Sequence, residues 1–202
     1  MRQRDLGGFL RGCGATAWLI AANVTVFVVL DFLLPGDLQE KAARLLFLWP
    51  TDVASGRAVW QVLTSLFCHA GFMHLLFNLL FLSWVGKELE ALYGSRRFLL
   101  LYFLCGISGS LAYVAGSHLQ HAFPPALGAS GAVMGLMVVY AFHYPRQQVL
   151  FYGILPMQVR WLAVLYIVLD VSGFVHPGGG IANAAHLGGA AFGVAWALWR
   201  RR

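Results

Sequence analysis

The sequence predicts an all-α membrane protein: a single bundle of six transmembrane helices with both termini cytoplasmic. Three observations carry that expectation. Of the 202 residues, 59% are hydrophobic and only 11% are charged, whereas a soluble domain of this size carries about 25% charged residues. Apolar runs recur along the chain, and a bilayer core takes roughly 20 apolar residues per helix. The Lys and Arg residues between those runs are unevenly shared between the two sides that a six-helix topology defines, as the positive-inside rule requires. Six helices would use about 120 residues. The remainder makes loops and tails, so one domain over residues 1–202 is expected, with no separate soluble domain.

The first run covers residues 15–34. A basic segment (Arg2, Arg4, Arg11) precedes it. The run is longer than a signal-peptide core and ends without a small-x-small cleavage pattern, so it reads as a retained helix. A more polar connection follows over residues 35–61, with Asp37, Glu40, Lys41, Arg44, Asp52 and Arg57. Its inner part, 42–49, is apolar and is expected to lie at the interface as an amphipathic element. The second helix is predicted over 72–85, the third over 98–116 and the fourth over 130–143, closed by Tyr144-Pro145-Arg146. The fifth is predicted over 159–171, after a run interrupted by Pro156 and Arg160. A glycine-rich loop, 177–180, leads to the sixth over 182–199.

With both ends inside, the inner segments hold Arg2, Arg4, Arg11, Lys87, Arg96, Arg97, Arg146, Arg160, Arg200, Arg201 and Arg202, eleven basic residues. The outer segments hold three, Lys41, Arg44 and Arg57. The net charge of +6 therefore does not indicate nucleic acid, because the basic residues lie at segment ends. Cys13, Cys68 and Cys105 show no CxxC spacing and read as small buried residues.

This topology places chemistry. The second, fourth and sixth helices all run inward from the outer face, so His74, Asn78, Ser130 and His186 fall at similar depth near that face. Gly128-Ala129-Ser130-Gly131 opens the fourth helix. Glycines allow close approach and a sharp turn, and free N–H groups at a helix start stabilise a developing oxyanion. A serine needs a base to become a nucleophile, and His186 lies one turn into the sixth helix. A membrane histidine is costly unless it faces a cavity or partner. Gly189 and Gly193 form a GxxxG face for tight packing. If the fourth helix is the neighbour, Ser130 and His186 come within hydrogen-bond reach. His74 and Asn78, four apart, share one face and suit an oxyanion hole. His69 precedes His74 by five residues with no Glu between, which is not a zinc-site spacing. His118 and His121 read as solvated loop residues, and His143 and His176 receive no role. Asp170, near the outer end of the fifth helix, could orient His186 as a third member. Asp31 is similarly placed in the first helix, so Asp170 is read as an acid snorkelling to the interface.

Taken together, the segment 69–78 with His69, His74 and Asn78, the Gly128–Gly131 motif, and Ala185-His186-Leu187-Gly188-Gly189 resemble the rhomboid family of intramembrane serine proteases, in matching order and spacing from about residue 15 to 199. The resemblance implies a rhomboid-like six-helix bundle and a Ser130–His186 dyad without a catalytic acid. It implies an oxyanion hole from His74, Asn78 and the Ser130 backbone N–H, with His69 and Gly128 in support. It implies transmembrane proteins as substrates, no metal or cofactor, and residence in a bilayer, expected to be a bacterial inner membrane. A catalytically inactive binder of membrane helices is the alternative, and a small transporter using the histidines as a proton relay is a third reading. Two positions depart from the family pattern. Trp60-Gln61 stands where relatives often have Trp-Arg, removing the arginine partner of an acid such as Glu90. Met134 stands where many relatives carry an aromatic packed on the histidine, so His186 is expected to be held differently.

Overall fold

The computed structural model describes residues 14–151, 154–176, 180 and 182–200. The N-terminal arginines, Cys13, the start of the glycine-rich loop, Arg201 and Arg202 lie outside the described residues. The chain is mostly helical. Helix α1 covers Ala15–Val28 and continues as a π-helical turn over Val29–Leu33. It stops because Leu34, preceding Pro35, is extended, the conformation a following proline imposes. Its start is capped from a distance. Glu90 accepts hydrogen bonds from the N–H groups of Ala15 (2.5 Å) and Thr16 (2.9 Å) and from the Thr16 hydroxyl (2.7 Å). The carboxylate thereby satisfies donors that a helix start leaves free.

The long connection is structured throughout. Helix α2 runs over Gly36–Leu46, earlier than the expected amphipathic element at 42–49. Residues 47–49 are instead extended, because Leu48 exchanges two 2.9 Å backbone hydrogen bonds with Ala126. Short helices α3 (Pro50–Ala54) and α4 (Gln61–Thr64) follow, and a 3₁₀ turn over Ser65–Phe67 leads to a break. Helix α5, Phe72–Tyr93, meets the preceding short helix at 95°. It continues past the predicted end at 85, since Val85, Gly86 and Leu89 stay buried while Lys87 and Glu88 face outward.

Gly94, at φ +76°, turns the chain into α6, Ser95–Leu119. Helix α7, Ser130–His143, begins and ends where the sequence places it. It is enclosed on every side, with Gly131 through Ala141 all buried. At 14 residues it is roughly 21 Å long, short of a hydrocarbon core of about 30 Å. An unforeseen two-stranded antiparallel hairpin follows, β1 (Gln148–Phe151) and β2 (Leu155–Gln158), with Val149 opposite Met157 and Leu150 opposite Pro156. These four-residue runs are too short to hold a helical period. Helix α8 covers Val159–Val175, four residues beyond the expected end, and α9 covers Ala182–Trp199.

Two helical stretches, Ala15–Leu33 and Ser95–Leu119, are long and apolar enough to cross a membrane, and the bent pair ending in α5 makes a third. The surface is inverted relative to a soluble protein. Phe32, Leu33, Phe72, Trp161, Val168 and Trp199 are exposed, while Asn23, Gln61, Ser117 and Asp170 are buried. Apolar exposure on this scale requires an apolar surrounding.

Helix α9 lies between α6 and α7, and the contact is made by small residues. A Cβ on Gly189 would overlap the Gly131 carbonyl, and one on Gly193 would reach the Gly135 carbonyl. On the other side Gly109 faces the Ala185 carbonyl, and the Ser108 hydroxyl donates to the Gly188 carbonyl at 2.9 Å. Backbone touches backbone along both seams.

Candidate active site

That packing sets Ser130 opposite His186. The Ser130 hydroxyl donates to His186 Nε2 at 2.9 Å. Ser130 is the first residue of α7, so its N–H is among those a helix start leaves without an intrahelical partner. The His186 side chain is 28% exposed, enough for solvent to reach the ring.

The strand of chain leading into Ser130 is pinned. Ala126 is bonded to Leu48, the Gly128 N–H donates to the Ser65 carbonyl at 2.9 Å, and Tyr113 donates to the Pro124 carbonyl at 2.9 Å. Gly128 has φ +124°, a conformation suited to glycine. A Cβ there would meet His74 at 2.7 Å from Cε1 and 2.9 Å from Nε2. Glycine is thus required both by the turn and by the ring that lies against it.

His74 sits in the first turn of α5. The Ala70 N–H donates to its Nδ1 at 3.3 Å. A ring whose Nδ1 accepts carries its proton on Nε2, so the donor faces the Gly128 segment beside Ser130. Asn78 is buried one turn further on, and its amide nitrogen donates one hydrogen to the His74 carbonyl at 2.8 Å. The second amide hydrogen stays available, since an Asn amide has two. His69 is buried and stacks edge-on against His74, with ring centroids 5.0 Å apart. A cavity of about 200 Å³ opens beside Ser130, lined by Gly106, Gly109, Ser110, Gly128 and Gly131 together with apolar side chains.

Two expectations need correction. Asp170 does not snorkel. It is buried, and His186 Nδ1 donates to its Oδ1 at 2.9 Å. The signal in the sequence was an acid at the outer end of a helix, at the depth of His186. The exposed Asp31 is therefore no guide to it. Nor does Gln61, standing where relatives often have Arg, leave Glu90 without partners or the first loop without a side-chain tie. Gln61 is 2% exposed. It accepts from the Trp49 N–H at 2.9 Å and donates to the Arg44 carbonyl at 2.9 Å. Glu90 needs no arginine, being occupied by α1 and by the Ser95 hydroxyl at 2.6 Å. Met134 is buried in the core.

A serine bonded to an imidazole at a helix start, with neutral N–H donors alongside, is equipped for nucleophilic attack on a carbonyl. The Rhomboid domain family profile matches residues 56–202. Rhomboid protease GluP of Bacillus subtilis is 34% identical over 130 residues, covering 64% of this chain and 24% of that protein. Rhomboid-like protease 3 of Toxoplasma gondii is 30% identical, covering 83% of this chain and 66% of its own length. RHOMBOID-like protein 12, mitochondrial, of Arabidopsis thaliana is 32% identical, covering 91% and 57%. The chain thus spans between about a quarter and two thirds of the length of these relatives. With most of its length matched, this chain belongs to the rhomboid family of integral membrane proteins, a family with named serine proteases among its members.

Proposed function

We propose that the chain is an intramembrane serine endopeptidase that cleaves transmembrane-helix substrates near the outer side of the membrane. The observation that carries this reading is the 2.9 Å hydrogen bond from Ser130 Oγ to His186 Nε2, made at the open end of a buried helix. Ser130 Oγ attacks the scissile carbonyl as its proton passes to His186 Nε2. The oxygen's developing charge is met by the Ser130 backbone N–H, His74 Nε2–H and the spare Asn78 amide hydrogen. His186 then gives the proton to the leaving amine, and water hydrolyses the acyl-enzyme by the same route in reverse. His69 and Gly128 serve as support, the first behind His74 and the second against its ring. The 200 Å³ cavity suits a small substrate side chain beside the scissile bond.

In this reading α1, α5, α6, α7, α8 and α9 are six spans with both termini cytoplasmic. The eleven-to-three division of basic residues supports that orientation. The proposed setting is a bacterial inner membrane, and the Bacillus subtilis relative favours it. Partners are other transmembrane proteins and the surrounding lipid, with no cofactor.

A fluorophosphonate probe tests the assignment of nucleophile and base. The purified protein should be labelled at Ser130, with labelling abolished in Ser130→Ala and strongly slowed in His186→Ala. A wild-type protein that stays unlabelled would instead be an inert binder of membrane helices.

A further inference from the structure

The geometry points to Asp170 as a positioning residue for His186, a third member that makes the site a Ser–His–Asp chain. The inference rests on the protease reading above. The relay is continuous: Ser130 Oγ to His186 Nε2 at 2.9 Å, and His186 Nδ1 to Asp170 Oδ1 at 2.9 Å. A carboxylate only accepts hydrogen bonds. It therefore fixes the imidazole proton on Nδ1 and leaves the Nε2 lone pair facing the serine hydroxyl. When Ser130 attacks, its proton moves to Nε2 and the imidazolium is held by the Asp170 carboxylate, which stays ionised. The proton then leaves from Nε2 to the departing amine, and Asp170 exchanges none.

Two further observations support this role. Asp170 and Gly173 are three apart on α8, and Asn183 and His186 are three apart on α9. A Cβ on Gly173 would overlap the Asn183 side chain. The two helices thus touch at two points one turn apart, with the aspartate–histidine bond as one of them. Second, the Asp170 side chain is only 10% exposed, and its Oδ2 is buried without a hydrogen-bond partner among the described residues. A half-satisfied buried carboxylate costs stability, so stability alone does not account for it.

The groups facing His186 come from four helices. Asp170 approaches from α8 and Ser130 from α7. From α5 comes His74, within electrostatic reach, with His69 behind it. From α6 the neighbours of this turn are Ser108 and Gly109. Asp170 is the acid among these groups, so it is the one that can hold the Nδ1 proton of His186 in place.

The test is kcat and KM for wild-type, Asp170→Asn and Ser130→Ala protein, with one transmembrane substrate in liposomes. Asp170→Asn should lose about 10²- to 10⁴-fold in kcat, hold its KM and keep its thermal midpoint. An unchanged kcat, or a loss of kcat matched by a fallen thermal midpoint, overturns the inference while leaving the protease reading intact. A wild-type protein that neither cleaves nor takes up the fluorophosphonate removes the protease reading itself, and the inference with it. A second measurement needs no variant: in ¹⁵N-histidine-labelled wild-type protein, His186 should be the Nδ1–H tautomer. Finding the proton on Nε2 contradicts the proposal.

Discussion

At the scale of single residues the site depends on which nitrogen of each histidine carries a proton. His74 accepts at Nδ1 and His186 donates from Nδ1, so one ring presents a donor and the other an acceptor towards the same space. In the proposed activity the acceptor would serve as base for the serine and the donor would meet the oxyanion, with Asn78 as a second side-chain donor. Its replacement by alanine should lower kcat by about 10²–10³-fold, or 3–4 kcal/mol of transition-state stabilisation, with KM little changed. Steady-state kinetics on a transmembrane substrate checks this, and a wild-type kcat would remove Asn78 from the oxyanion hole. Ser130, His186, His74 and Asn78 stood out in the sequence because polar side chains of these types are conspicuous inside apolar runs. Asp170 did not, and Asp31 shows why. Both are single acids near the end of an apolar helix, yet one is exposed and the other lies beneath His186. Burial of that kind is decided by which neighbour a helix packs on, and the periodicity of one helix does not contain it.

At the scale of elements, glycine and capping chemistry position the reactive groups. The Gly189 and Gly193 seam was readable as a GxxxG face, and its partner is α7 through Gly131 and Gly135. The outer loop was harder to read. Gln61, seemingly a loss of an anchor, is itself the anchor, joining Trp49 to Arg44 across the loop. Glu90, seemingly unpaired, caps α1 some 75 residues earlier in the chain. Long-range side-chain to backbone bonds such as these leave no local pattern, and the same holds for the hairpin of β1 and β2. Gln61→Ala would strand the Trp49 N–H and the Arg44 carbonyl. At about 1 kcal/mol or more per bond, the expected cost is about 2–4 kcal/mol. It should appear as a lower thermal midpoint and faster amide exchange over residues 44–49. Exchange at wild-type rates would show that Leu48–Ala126 pairing alone holds the loop.

At the scale of the whole molecule, the proposed reaction needs water while the surrounding is apolar. Many large apolar side chains face outward, while Asn23, Asn78 and Asp170 are polar groups buried within the bundle. The short, enclosed α7 presents Ser130 at its first turn, while His186 stays partly open to solvent. In the proposed activity, a substrate helix must expose its backbone to reach Ser130, and an unpaired peptide group is costly in lipid. The most direct measurement is cleavage of a single-pass transmembrane substrate in proteoliposomes, with wild-type and Ser130→Ala protein compared at equal amounts. The account predicts a defined pair of products from wild-type protein and none from Ser130→Ala. Undiminished cleavage by Ser130→Ala would contradict it.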